Sequence, residues 1–326
     1  MSDIKLFRLS GGTATELQGN ASDLEKPLQT LIEANLLPLL NIRFIASEHS
    51  TGKTHGGRID SLGLDENHCP VILEYKRSVG ENVINQGLFY LDWLMDHKAE
   101  FKFLVLDKLG AAAADAIDWS APRVVCIAAD FTKYDGHAVQ QIGRNIELIR
   151  YRRFGDDLLL LESVNAGSDS NGKATAAKLT KAGASKLEAA GSAMTTPTDP
   201  TGAKGTWPDK SFAEVLANLP EPIQQLLASL EDYTFSLGDD VQRKELRLYA
   251  AFKRLKNFAT VVLHRKNCLL LYLHVDPATA LPVLPNARDV TSIGHWGTGS
   301  LEVPLTSQAD LDAVKPFINA AYGGKA

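Results

Sequence analysis

The sequence predicts an α/β protein, in which a mixed sheet flanked by helices is followed by a smaller α+β domain. In the first half, short apolar runs of strand length alternate with amphipathic helical segments. A segment without aromatic residues then separates this half from a second one that has its own helix and strand patterns. At 326 residues the chain is long enough for two domains that each bury a core.

The first half combines helical and strand-like patterns. Apolar residues at helical spacing predict helices over residues 23–40 and 82–96, and Ser22 or Asp23 can cap the first of them. Short apolar runs predict strands over residues 42–47, 58–64, 71–76, 101–106, 123–129, 146–154 and 157–163. The polar residues 65–68 predict a hairpin turn between the second and third of these strands.

Residues 166–206 are rich in Ala, Gly, Ser, Thr and Lys and cannot bury much apolar surface, so we expect a flexible linker there. This linker divides the chain into domains over residues 1–165 and 207–326. In the second domain, the patterns predict helices over 211–218 and 222–231 and strands over 245–252, 258–264 and 268–275.

Composition limits the function classes. The net charge of −5 excludes a general basic field, so a nucleic acid would have to meet a local basic face. Cys69, Cys126 and Cys268 form no CxxC pattern, which favours buried thiols in a reduced compartment. The N-terminus lacks an apolar signal region, and no apolar run approaches the ~20 residues that span a bilayer. We therefore expect a cytoplasmic protein without a membrane partner.

Three charged side chains converge on the predicted hairpin. Asp60 lies on its first strand, in Gly57-Arg58-Ile59-Asp60, and Glu74 and Lys76 lie on its second. Because strand side chains alternate between faces, Glu74 and Lys76 point the same way. Two carboxylates can hold Mg²⁺ or Mn²⁺, and a lysine beside them can stabilise charge on a phosphoryl transition state. Ordinary solvated charges on a surface hairpin are the alternative interpretation.

The setting of this trio resembles the PD-(D/E)XK nuclease superfamily, most closely its NucS/EndoMS-type and Mrr-like branches, over residues 20–130. The resemblance implies a restriction-endonuclease-like core, with Asp60, Glu74 and Lys76 as catalytic residues and the two carboxylates as metal ligands. It further implies a first-helix glutamate, Glu33, as a metal ligand, for which Glu48 is a competitor. The helix after the motif carries the sequence QGLFY, which resembles the QxxxY element and implies that Gln86 acts at the site. Ile59 stands where the family motif has proline, a common departure.

The last part of the chain resembles a small domain of unknown function, the DUF5655 type, on the stretches YAAFK, NFATVV, LLLYL, RDV and GHWGTG. Basic residues interleaved with Phe252 and Phe258 could track phosphates and stack bases. A solvated sheet rim with two core phenylalanines is an equal alternative. The candidate nucleic-acid contacts, including two that flank the hairpin motif, are Arg58, Arg77, Lys253, Arg254, Lys256, Arg265 and Lys266.

Together these features predict an Mg²⁺- or Mn²⁺-dependent endonuclease that hydrolyses DNA in restriction, phage defence or repair. RNA, or branched or mismatched DNA, is the alternative substrate. A non-catalytic binding protein on a nuclease scaffold is the alternative from another class. A homodimer would supply the two sites that cutting both strands requires, and the sequence is equally compatible with a monomer.

Overall fold

The computed structural model describes residues 4–20, 25–76, 83–155, 157–164, 210–264 and 267–324. It confirms the predicted α/β class, since a mixed sheet flanked by helices is followed by a second sheet with its own helices. We call residues 4–164 the N-terminal unit and residues 210–324 the C-terminal unit. The predicted linker and the cap residues Ser22 and Asp23 lie outside the described residues.

The N-terminal unit contains nine strands and seven helices in its described residues. The strands are β1 Leu6–Ser10, β2 Thr13–Leu17, β3 Gly19–Asn20, β4 Ile42–Ser50, β5 Arg58–Asp65, β6 Pro70–Lys76, β7 Arg123–Ala128, β8 Asn145–Phe154 and β9 Leu158–Ser163. The helices are α1 Glu25–Ala34, α2 Leu36–Leu40, α3 Gly52–His55, α4 Val83–Asp96, α5 Lys98–Leu109, α6 Ala111–Asp115 and α7 Lys133–Gln141.

A seven-stranded mixed sheet forms the centre of this unit, in the order β3-β8-β7-β6-β5-β4 with β9 also paired to β8. Strands β6, β7 and β8 run parallel, whereas β4, β5 and β6 are antiparallel. Helices α1 and α2 pack on one face through Leu28 and Leu36. Helices α4 and α5 pack on the other face through Leu94 and Phe101. Hairpin β5–β6 therefore lies inside a three-layer arrangement, which shields it from water.

The C-terminal unit is a six-stranded sheet in the order β10-β11-β12-β13-β15-β14 with four helices in its described residues. Its elements are α8 Phe212–Leu216, α9 Glu221–Phe235, β10 Gln242–Glu245, β11 Tyr249–Lys253, β12 Asn257–His264, β13 Cys268–Leu273, α10 Pro277–Ala280, β14 Arg288–Asp289, β15 Leu301–Leu305 and α11 Gln308–Tyr322. One face of the sheet packs against α8, α9 and α11. On the other face, Leu246 and Tyr249 cluster with Cys69 and Ala121 of the N-terminal unit.

Residues 101–106, predicted as a strand, belong to helix α5. The alternation of Phe101, Phe103 and Val105 is strand-like, but only Phe101 and Val105 are buried, and Phe103 is 67% exposed. These two buried residues are four positions apart, on one face of a helix, and pack with the core on the α4–α5 side of the sheet. Tertiary packing, which the local sequence pattern does not contain, therefore determined the secondary structure of this segment.

The predicted extents of one helix and one strand were also wrong. The helix predicted over 23–40 is split into α1 and α2, because Pro38 has no N–H to donate to the carbonyl of Ala34, where α1 ends. The strand predicted over 245–252 is a hairpin of β10 and β11, whose ladder pairs Glu245 with Ala250. The other predicted elements of both units are present with small shifts at their ends.

Candidate active site

The ladder between β5 and β6 opens at the position of Asp60. Regular pairing ends at Ser61 and Leu73. Beyond it the Tyr75 amide donates to Asp60 Oδ2 over 3.0 Å, and the Asp60 amide donates to Glu74 Oε1 over 3.3 Å. Each carboxylate thus accepts a backbone hydrogen bond from the opposite strand, and the two side chains are brought together as the hairpin pattern predicted.

Glu74 is completely buried, and its Oε2 has no hydrogen-bond partner in the described structure. Burial, followed by the neighbouring Asp60, raises the pKa of Glu74 to about 9. Burial also raises the pKa of Asp60, although the Tyr75 amide and Lys76 act in the opposite direction. Two adjacent carboxyls in a dry environment disfavour a second negative charge, so the pair binds either a proton or a cation.

Lys76 lies two residues after Glu74 on β6 and is partly buried. Its positive charge lowers the pKa of both Asp60 and Glu74, against the larger effect of burial. The three residues of the predicted trio therefore act on one another electrostatically. We call Asp60, Glu74 and Lys76 the site cluster, which holds two acidic groups and one basic group.

The two candidate glutamates occupy different positions. Glu33 Oε1 accepts a hydrogen bond of 2.6 Å from Ser61 Oγ, and Ser61 Oγ also contacts the hydroxyl of Tyr75. Because Tyr75 and Glu74 are adjacent on a strand, they point to opposite faces, so Glu33 meets the face opposite Glu74. Glu48, and not Glu33, is among the main charges that act on the pKa of Asp60 and Glu74.

Glu48 itself is held by two cations in a strained backbone position. Its carboxylate contacts Lys26 Nζ at 2.6 Å and Arg58 Nε at 2.5 Å. Its φ of 53° lies in the left-handed region, which is costly for a residue with a side chain. Such strain often occurs at functional sites, because the surrounding structure must impose it.

Gln29, which the sequence analysis did not single out, connects α1 to the site. It is 4% exposed, and its Nε2 lies 2.8 Å from the Asp60 carbonyl oxygen and 2.9 Å from Glu33 Oε1. A buried amide that donates to the backbone of a site residue restrains that residue's position. A polar residue on the apolar face that includes Leu28 and Ile32 is the signal that could have revealed it.

Gln86 and Tyr90 lie on one face of α4, as their spacing of four predicts. Gln86 Nε2 donates to the Tyr90 hydroxyl over 3.4 Å, and that hydroxyl accepts the Arg58 amide over 3.1 Å. Tyr90 is 5% exposed and packs against Gly57, where a Cβ would approach the tyrosine ring to 2.6 Å. The helix thus supports the start of β5, which Gln86 reaches through the Tyr90 hydroxyl.

The four predicted nucleic-acid contacts that the structure describes do not form one basic face. Arg58 is exposed beside the site, where it pairs with Glu48. Lys253 is 2% exposed and pairs with Glu147, so it cannot belong to a solvent-facing surface. Arg254 pairs with Asp240, and Lys256 donates to the Pro38 carbonyl. The remaining candidates, which lie outside the described residues, are Arg77, Arg265 and Lys266.

The predicted base-stacking side chains are also buried. Phe252 and Phe258 are 0% and 4% exposed and belong to the core of the C-terminal unit. A ring in a packed core offers no free face to a base. Of the two interpretations of this region, the core phenylalanines are the one that the structure bears out.

The residues present partly fit a divalent cation. Within the described ranges, no three His, Cys, Asp or Glu side chains are grouped so as to hold a metal ion. Two adjacent carboxylates with the unpartnered Oε2 of Glu74 nevertheless offer the oxygen donors that Mg²⁺ prefers, since this ion usually keeps several of its waters. None of the helices in the described part of the chain is long and apolar enough to cross a membrane.

Comparison with known proteins gives a family match in the C-terminal unit. Residues 212–324 match the family described as domain of unknown function DUF5655, which confirms the resemblance inferred from the sequence. An uncharacterized protein of Haemophilus influenzae is 29% identical over 323 residues, covering 98% of this chain and 99% of the relative.

Solved structures give more distant likenesses. A repair endonuclease from Pyrococcus abyssi is 18% identical, with a TM-score of 0.26 over 40% of this chain and 49% of the other. The EndoMS-dsDNA2 complex is 17% identical, with a TM-score of 0.22 over 40% and 48%. SfsA of Pyrococcus furiosus with Ca²⁺ is 16% identical, with a TM-score of 0.25 over 49% and 75%. The chain spans about half the length of the first two, and its fold class follows from the topology above.

Proposed function

We propose that the chain is a divalent-cation-dependent nuclease of the PD-(D/E)XK type, whose site is the cluster of Asp60, Glu74 and Lys76. The observation that carries this proposal is the completely buried Glu74, which adjoins Asp60 and has an oxygen without a partner. Burying two carboxyls beside one lysine costs stability, and a fold retains such an arrangement where a ligand compensates for it.

The residues of the site have separable roles in this proposal. Asp60 and Glu74 hold the cation, and the Tyr75 amide orients the Asp60 carboxylate. Lys76 stabilises negative charge on the phosphate that is attacked. Mg²⁺ or Mn²⁺ held by these residues would polarise the phosphodiester and make a bound water more acidic. DNA is the expected substrate, with RNA as the alternative, and a two-fold dimer would cut both strands.

Cleavage assays with the full chain test this proposal. Supercoiled plasmid, single-stranded circular DNA and total RNA are incubated with Mg²⁺ or Mn²⁺, with and without EDTA. We expect Glu74→Gln and Asp60→Asn each to reduce cleavage by about a hundredfold or more, since they remove cation ligands. Asp92→Asn is the matched control, because it removes one acidic group from the exposed side of α4 and should cut like the wild type.

Equal cleavage by the wild type and both site variants would refute the catalytic assignment. If the wild type cleaves none of the three substrates, and Mn²⁺ does not raise its melting temperature, the non-catalytic alternative is favoured. If Mn²⁺ stabilises the wild type but not Glu74→Gln, the cation site stands and the search moves to other substrates.

A further inference from the structure

The turn of hairpin β5–β6 is buried against the C-terminal unit, although its polar sequence is typical of a surface turn. Asp65 and Asn67 are 1% and 5% exposed. Within the turn, Asp65 Oδ1 accepts the amides of Asn67 and Cys69 over 2.9 and 2.8 Å. These bonds leave Asp65 Oδ2 and the side chains of Glu66 and Asn67 for contacts outside the hairpin.

Strands β10, β11 and β12 provide a separate donor for each successive turn side chain. Lys244 Nζ lies 3.3 Å from Asp65 Oδ2, and the Asn257 amide donates to Glu66 Oε1 over 3.1 Å. Asn67 Oδ1 accepts two bonds, from the Tyr249 hydroxyl over 2.9 Å and from Asn257 Nδ2 over 2.8 Å. Each of the three consecutive turn side chains thus has its own polar contact with the C-terminal unit. An interface formed only by burial of an apolar patch would lack such contacts.

A buried network of ion pairs surrounds these contacts. Arg123 Nε lies 3.3 Å from Asp65 Oδ2, and its Nη1 donates to Glu147 over 2.7 Å. Lys253 Nζ donates to the same Glu147 oxygen over 2.7 Å. We call this group the turn cluster. It comprises three acidic and three basic residues: Asp65, Glu66, Glu147, Arg123, Lys244 and Lys253. Glu66 belongs to it through the charges of Arg123 and Lys253, which act on its carboxyl.

We propose that β10–β12 form a binding site for the acidic Asp-Glu-Asn turn of the same chain, and that occupation of this site positions hairpin β5–β6. Its positioning residues are Lys244, Tyr249 and Asn257, which contact the turn, and Lys253, which pairs with Glu147 beside it. The C-terminal unit is then a docked support for the hairpin, and this face of its sheet is closed to other partners.

The docked turn and the candidate site lie at opposite ends of the same strand. Asp65 follows Asp60 by five residues, which places them about 17 Å apart along an extended strand. The β5–β6 ladder connects them through the pairs from Leu64 with Pro70 to Ser61 with Leu73. Loss of docking frees the turn end, and the pairing that holds Asp60 against Glu74 then has less support.

Hydrogen exchange of the full chain tests the docking directly. Lys253→Met removes the ammonium that contacts Glu147, and Tyr249→Phe removes only the hydroxyl that contacts Asn67. We expect the amides of residues 67–75 to exchange about tenfold faster in either variant. Tyr249→Phe loses a hydrogen bond to the turn, and Lys253→Met loses a cation that pairs with Glu147 and acts electrostatically on Asp65 and Glu66. Amides of α4 and α11, in the separate cores of the two units, should keep their wild-type protection.

Arg243→Met is the matched control. Arg243 neighbours Lys244 on β10 and carries the same charge, but it pairs with Glu231 and Glu245 inside the C-terminal unit. Hairpin exchange in this variant should equal that of the wild type. If Lys253→Met does not fold, Tyr249→Phe and the double variant Lys253→Met/Glu147→Gln, which removes both charges, decide the question.

Wild-type hairpin protection in Tyr249→Phe and in a folded Lys253 variant would overturn the inference. So would a uniform loss of protection that includes α4 and α11, because it would show general destabilisation. A Mn²⁺ titration of the same variants adds a second measurement, which alone rests on the proposed function. We expect Tyr249→Phe to bind Mn²⁺ about threefold more weakly than the wild type. A wild type that binds no Mn²⁺ would refute the cation site, and the exchange data would still decide the docking.

Discussion

Hairpin β5–β6 carries a buried group of charges at each end, and the two groups differ in balance. In the turn cluster, three acidic residues meet three basic ones. In the site cluster, two adjacent carboxyls share one lysine. Both groups are shielded from water by the same fold.

The pKa shifts of Glu147 and Glu74 reflect this difference, whereas burial raises the pKa of Glu66 in the turn cluster as well. Burial raises the pKa of Glu147, but Arg123 and Lys253 outweigh it and the net shift is downward. At Glu74, burial is reinforced by Asp60, and the pKa rises to about 9. A balanced buried group can keep its charges without a ligand, whereas an unbalanced one needs a proton or a cation. Charge balance, more than burial, therefore separates Glu147 from Glu74.

The largest effect is expected where a balanced group is broken. Glu147→Gln leaves Arg123 and Lys253 without their shared carboxylate, so we expect the free energy of unfolding to fall by about 3–5 kcal/mol. Urea unfolding of the full chain near pH 7 measures this. A loss below about 1 kcal/mol, which is typical of an exposed pair, would mean that the cluster is hydrated and the comparison fails.

A second effect concerns the pH dependence of cation affinity. Because the pKa of Glu74 is about 9, a cation must displace its proton at neutral pH. We expect Mn²⁺ affinity to rise about tenfold per pH unit between pH 6.5 and 8.5, and to be weak and nearly pH-independent in Glu74→Gln. Calorimetric titration at several pH values provides the measurement. A flat wild-type profile would contradict a buried, protonated Glu74.

Stability without added metal provides a third test. The folded chain keeps the Glu74 proton up to about pH 9, whereas the unfolded chain loses it near the ordinary value of 4.5. The free energy of unfolding should therefore fall as the pH rises through this window. Glu74→Gln removes this loss, so we expect its stability relative to the wild type to rise by about 1.4 kcal/mol per pH unit between pH 4.5 and pH 8. A variant that is less stable near pH 8 would assign Glu74 a structural role.

The smallest effect separates the two candidate glutamates. Glu48 acts on the pKa of both site carboxyls, so we expect Glu48→Gln to weaken Mn²⁺ affinity by about fivefold. Glu33→Gln, which changes a contact with Ser61 on the other face, should alter it by less than about twofold. If Glu33→Gln weakened Mn²⁺ affinity more than Glu48→Gln did, Glu33 would instead be the third acidic residue of the site.

Local patterns predicted much of the fold. The polar turn over residues 65–68 and the alternation around Glu74 are local features, and the structure contains both the hairpin and the contact between Asp60 and Glu74. The strand prediction for residues 101–106 was wrong, because the alternation of apolar residues there fits one side of a helix as well as a strand. Gln29 was missed because its importance depends on the Asp60 carbonyl, 31 residues further along the chain.

The sequence by itself determined the α/β class, the DUF5655-type C-terminal region and the position of two carboxyls and a lysine on one hairpin. These follow from side-chain periodicity and turn chemistry, which act over a few residues. Only the tertiary structure decided that Glu74 is completely buried, that Glu48 acts on the site more than Glu33, and that Lys253 pairs with Glu147. Burial and charge pairing depend on distant segments meeting in space, and local sequence patterns do not encode those distances.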